Sequence, residues 1–137
     1  MSQSVKKNTL FRKKKTSKYR SLKNKLTPLQ LGIAFKAATE QPFTGTTSNG
    51  FKWDNQQAGI YYSLISHKPL FKSEDKFSCP CGWMSFSKPI NSANIILRPD
   101  PQDIKYNKSF IRTEVLESSY QTHLGHLFDD HNSTSGK

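Results

Sequence analysis

Apolar positions first recur with a helical period. After Thr27, Leu29, Ile33, Ala34 and Ala37 fall on one face of a helix. Thr27-Pro28 in front of them reads as an N-cap followed by proline at the first helical position, so a short amphipathic helix is predicted to run to about Thr39. Pro42, Gly45, Asn49 and Gly50 mark a long turn-rich loop carrying Phe43, Phe51 and Trp53. After Gly59 the pattern becomes β-branched and aromatic. Ile60-Tyr61-Tyr62-Ser63-Leu64-Ile65 reads as a strand bounded by His67-Lys68-Pro69, and Pro69-Leu70-Phe71 begins another short extended piece. Asn94-Ile95-Ile96-Leu97 predicts a strand that stops at Pro99 and Pro101, around a loop rich in Asp. Residues 109–116 alternate apolar with polar and charged positions, as a half-exposed antiparallel strand does. His123-Leu124-Gly125-His126-Leu127-Phe128 is the last ordered-looking run, and Asp129 to Lys137 is polar and turn-like. Several short strands behind one helix, without internal repeats, predict a mainly antiparallel β domain.

Charge divides the chain. The net charge of +11 at pH 7 gathers at the N-terminus, where residues 1–25 carry ten Lys or Arg and no acid. The remaining eleven basic residues face all ten acids. Residues 1–25 are therefore expected to be a disordered basic tail, too polar to bury a core, and residues 26–137 a near-neutral single domain. The tail reads as a solvated arm. A nuclear or non-specific nucleic-acid attraction through Arg12-Lys13-Lys14-Lys15 and an organellar presequence are its alternatives, the second weakened by Lys where Arg is usual. No apolar run is long enough to span a membrane, and no apolar segment near the start suggests a secretory signal. Two cysteines in C-x-C spacing are not a disulfide framework, so a reducing compartment is expected: cytoplasmic, with nuclear and, less favoured, mitochondrial alternatives.

Candidate chemistry concentrates in two places. Cys79-Pro80-Cys81-Gly82-Trp83-Met84-Ser85-Phe86 holds both cysteines beside a tryptophan. On an extended strand Cys81 and Trp83 would share a face, a thiol beside an indole wall suited to a small apolar or sulfur-containing group. A buried Cys and Trp in a β-core is the plainer reading. The second place is His123 and His126, a pair able to bind metal, exchange protons or simply pack. Cys79, Cys81, His123 and His126 could form a Cys2His2 site, although their spacing is not that of a zinc finger. Asp130 could orient an imidazole or be an ordinary turn carboxylate.

Seven segments in order then carry a resemblance: Leu26-Thr27-Pro28, Glu40-Gln41-Pro42-Phe43-Thr44-Gly45, Trp53-Asp54-Asn55 with Gly59-Ile60-Tyr61, Pro69-Leu70-Phe71, Cys81-Gly82-Trp83-Met84-Ser85-Phe86, Arg112-Thr113-Glu114-Val115, and His123 to Asp130. Together they resemble the B-type methionine sulfoxide reductases over residues 26–137. The resemblance implies two packed antiparallel β-sheets preceded by short helices. It also implies thiol-dependent reduction of the R epimer of methionine sulfoxide in oxidised proteins, with a thioredoxin-like reductant. Under it Cys81 is the resolving thiol, Trp83 the wall for the substrate methyl group, and His123 and His126 the polar side that binds and protonates the sulfoxide oxygen.

Three departures qualify the expectation. The family's zinc cysteines fall on Ser63, Ser66, Glu117 and Tyr120, so no metal or other cofactor is expected. Met84 stands where the family has proline. The family segment bearing the nucleophilic cysteine has no counterpart before Lys137. Three readings follow: part of a longer reductase, an inactive relative that binds Met or Met-sulfoxide segments, or Cys79 and Cys81 acting alone, one attacking and the other resolving. A monomer is expected.

Overall fold

A computed structural model describes residues 3–129 and 135–137, with only the backbone described for 3–9. The antiparallel β class behind an N-terminal helix is what it shows. The first element corrects an expectation: the basic segment is not disordered but forms helix α1, Gln3–Leu22. It is free of Gly and Pro and rich in good helix formers, but its like charges repel along the helix. Docking supplies what local propensity lacks. Tyr19 meets the Phe35 ring edge-on at 5.2 Å, and the Lys14 and Lys18 ammonium groups lie 5.0 and 5.2 Å from the centre of the Tyr120 ring. Lys15 Nζ donates to the Gln121 carbonyl at 2.9 Å.

Helix α2, Pro28–Lys36, starts as predicted. Thr27 Oγ1 accepts from the Gln30 amide, while the Gln30 side chain accepts from the Thr27 amide, a reciprocal capping box. It stops short of Thr39 because Ala37 turns left-handed at φ 54°.

Strands β1 (Ile60–Tyr62) and β2 (Pro69–Lys72) pair antiparallel, as do β3 (Lys76–Phe77) and β4 (Ser85–Phe86). Aromatic rings join the two ribbons: Phe86 stacks on Phe71 at 4.5 Å and receives Tyr61 edge-on at 5.0 Å. β1 is shorter than the predicted strand because Ser63 folds the chain back. Its Oγ accepts the Ile65 and Ser66 amides, each at 3.1 Å.

The larger sheet orders β5 (Ile95–Pro99), β6 (Thr113–Glu117) and β7 (Thr122–Leu127) side by side, with α2 packed on β7. Between β5 and β6 the Asp-rich segment, expected to be a loop, forms a short helix α3, Pro101–Tyr106. Asp100 caps it and Pro101 opens it, the same grammar that was legible at Thr27-Pro28. Residues 109–112 are not strand, because Arg112 turns inward to Asp103 through its backbone N–H, Nε and one Nη. Among the described residues no helix is long and apolar enough to cross a membrane.

Candidate functional site

The His pair owes its geometry to an irregularity. Side chains three apart on a regular strand point to opposite faces. In β7 the pairing runs Val115 with Gly125 and then Leu116 with His123, so Leu124 is an extra residue, a β-bulge. The bulge restores the phase, and the His123 and His126 rings lie 5.5 Å apart.

Each imidazole is held by a different buried carboxylate. His123 Nδ1 is 2.8 Å from Glu114 Oε2, with His123 8% and Glu114 2% exposed. Arg98 Nε donates to the other Glu114 oxygen at 2.7 Å, a contact set by the direct register of Arg98 and Glu114 across β5 and β6. His126 Nε2 is 2.6 Å from Asp100 Oδ2, and Asp100 spends its other oxygen on the Gln102 amide. Burial acts to raise the Asp100 carboxyl, but hydrogen bonds from His126 and the Gln102 and Asp103 amides outweigh it and hold it below its ordinary value. Asp103 is likewise lowered, chiefly by its hydrogen bonds from the Arg112 side chain and backbone.

A cavity of about 260 Å³ opens beside His123, lined among others by Lys15, Phe35, Arg98, Glu114 and Gln121. Lys15 enters it from α1. Desolvation and then the Arg98 charge lower its pKa, partly offset by Glu114.

The thiol–tryptophan stretch is arranged differently from expectation. It is not an extended strand with Cys81 and Trp83 on one face, because Gly82 turns at φ +88° and strand begins only at Ser85. That turn lets the Gly82 carbonyl accept the Phe43 amide at 2.8 Å, so close that an added Cβ would stand 2.8 Å from Pro42 Cβ. The Cys81 sulfur lies 3.7 Å from the Trp83 carbonyl oxygen. The two cysteines, expected as free thiols, are bonded to each other, their Cα atoms 5.2 Å apart.

Trp83 is 39% exposed, and its indole N–H donates to the Glu40 carbonyl at 3.0 Å. Glu40 was not singled out in the sequence. Its carboxyl sits over Gly45 with its pKa raised by burial. No periodic signal reveals it, since its neighbours come from a loop and a turn far apart in the chain.

Thus His123 and His126 are brought together, as are Cys81 and Trp83. No hydrogen bond or ring contact among the described residues joins one group to the other. Asp130 lies outside the described residues.

The positions matched to zinc ligands are spent on their own turns. Ser63 Oγ holds two amides, and Glu117, fully buried, accepts the Ser119 and Tyr120 amides at 2.6 and 3.1 Å. Ser66 Oγ accepts the Lys68 amide, while the Tyr120 ring faces two lysines. This is not a thiolate or imidazole set, and the residues present do not fit zinc.

The domain is a strand-rich antiparallel fold with a bulged His-bearing strand and a Cys-Gly-Trp turn, and comparison makes its class specific. The SelR domain family matches residues 26–137, and the chain belongs to that family. A relative from Vibrio cholerae serotype O1 (strain ATCC 39315 / El Tor Inaba N16961), the peptide methionine sulfoxide reductase MsrA/MsrB, is 37% identical over 115 residues. The match covers 84% of this chain and 28% of the relative, so the chain spans little more than a quarter of that protein's length.

Proposed function

We propose that residues 26–137 act on methionine sulfoxide in oxidised proteins, reducing the R epimer to methionine with electrons from a thioredoxin-like dithiol. One observation carries this reading: in a SelR-family chain, two imidazoles share one face of β7, each held by a buried carboxylate. Sulfoxide reduction consumes two electrons and two protons, releasing the thioether and water. The oxygen leaves as water only if protons reach it, and a positioned imidazole pair is suited to deliver them. Trp83, partly open, offers the aromatic surface for the apolar methyl group.

The electrons come from thiols. One thiolate attacks the sulfoxide sulfur and becomes a sulfenic acid as methionine departs, and a second condenses with it to a disulfide and water. Cys81, at the position the resemblance gives to the resolving thiol, closes the disulfide; where the attack comes from within these residues it falls to Cys79, whose bond with Cys81 the external dithiol reopens.

The test is turnover of R- and S-methionine sulfoxide peptides with dithiothreitol or thioredoxin. R-specific turnover abolished in Cys79→Ser, the variant without the attacking thiol, is expected. Turnover that survives in the double variant Cys79→Ser/Cys81→Ser would overturn the thiol assignment. A second reading is favoured by the separation of the two groups, since no hydrogen bond or ring contact among the described residues joins the His pair to the Cys81–Trp83 turn: a module that binds Met-sulfoxide segments without reducing them. It predicts binding of the same peptides without turnover under any reductant.

A further inference from the structure

We propose that Glu114 and Asp100 are positioning residues that lock His123 and His126 in opposite ring tautomers, so that the pair presents one free Nε2 and one free Nδ1. The proposal rests on the functional reading above only for what the imidazoles meet. An ionised carboxylate is an acceptor only. The nitrogen of each ring that faces its carboxylate must therefore carry the hydrogen: Nδ1 of His123 toward Glu114 and Nε2 of His126 toward Asp100. The remaining nitrogens, Nε2 of His123 and Nδ1 of His126, have no hydrogen-bond partner among the described residues and are not sealed away.

Neither carboxylate is free to swing aside. Glu114 is held on its second oxygen by Arg98, and Asp100 by the first turn of α3, with the Arg112 guanidinium 3.9 Å away. They come from different elements, β6 and the end of β5, so the two rings are clamped independently. The bulge at Leu124 makes the arrangement possible, because without it the rings could not share a face.

The consequence is chemical. A sulfoxide oxygen only accepts hydrogen bonds. A neutral His123 clamped at Nδ1 turns a bare lone pair outward, and it donates from Nε2 only when it carries a second proton. Charged and titratable groups around the ring are Lys15 from α1, Lys36 from α2, Arg98 and Asp100 from β5 and its end, Glu114 from β6, and His126 from β7. Any pH dependence of oxygen binding is read against this set.

The experiment is long-range proton–nitrogen correlation NMR on the full 15N-labelled chain, at a pH where both imidazoles are neutral. His123 is expected as the Nδ1–H tautomer and His126 as the Nε2–H tautomer. Glu114→Gln, which keeps an acceptor oxygen, is expected to retain the His123 pattern, and Glu114→Ala to shift it toward a mixture. The same tautomer on both rings in the unmutated chain would overturn the proposal whether or not the variants fold. So would a His123 spectrum unchanged in Glu114→Ala. Adding a methionine-R-sulfoxide dipeptide separates the two claims: an unmoved His123 Nε2 signal with the expected tautomers counts against the substrate reading and leaves the clamps standing.

Discussion

Gly82 shows how much one residue of the motif is asked to do. Its φ of +88° lies where a side chain is strained, and an added Cβ would stand 2.9 Å from the Phe43 nitrogen as well as against Pro42. Gly82→Ala is expected to cost at least about 2 kcal/mol, measured as a lowered urea midpoint at constant slope. Gly125, in the same sheet as the His pair, has nothing within 4 Å of an added Cβ. Gly125→Ala is expected to change stability by no more than about 0.5 kcal/mol in the same titration. The motif around Gly82 was visible in the sequence, but the shape was not. An extended reading put Cys81 and Trp83 on one face, whereas a left-handed turn holds the segment to Pro42 and Phe43, forty residues upstream in the chain.

At the scale of elements, caps were legible and docking was not. Thr27 and Pro28 announced α2 through local chemistry, and Thr27→Ala is expected to lower stability by about 1 kcal/mol in chemical denaturation. Helix α1 was read as disordered because its residues cannot bury a core of their own. It is held by a tyrosine between two lysines and by one ring contact, which composition does not reveal. Each cation–ring contact is worth about 0.5–1 kcal/mol when exposed. Tyr120→Ala is therefore expected to speed amide hydrogen exchange across residues 10–22 while leaving exchange in β5–β7 unchanged. Equal acceleration in both would mean that α1 is integral to the sheet rather than docked on it.

Across the whole molecule, the interior is held by paired charges as much as by apolar packing. Among the described residues the buried apolar side chains are Ala34, Ile65, Leu70 and Leu116, while Asp100, Asp103, Glu114, Glu117 and His123 are buried with partners. Such an interior is sensitive to acid. The Asp100 and Asp103 carboxyls are below the ordinary 3.8 in the folded state, so they bind protons more readily when unfolded. Their contribution is complete above that ordinary value and is lost as pH falls below it through the folded values. Urea midpoints are expected to hold near neutrality and fall from about pH 4.5 downward. In Asp103→Asn the neutral-pH midpoint should be lower and the acid slope shallower. An unchanged slope would remove Asp103 from the account.

The sequence by itself determined the β class, the family match over residues 26–137 and the α2 cap, because periodicity, capping and motif order are local properties of the chain. Which residues meet was decided only in three dimensions. His123 and His126 share a face through a bulge that no spacing encodes, and their carboxylates arrive from β6 and from the cap of α3. Cys79 joins Cys81, Ser63 and Glu117 close their own turns, and a basic arm becomes a docked helix. Each depends on a partner supplied by the fold, and a pattern along one chain carries no signal of the distance to that partner.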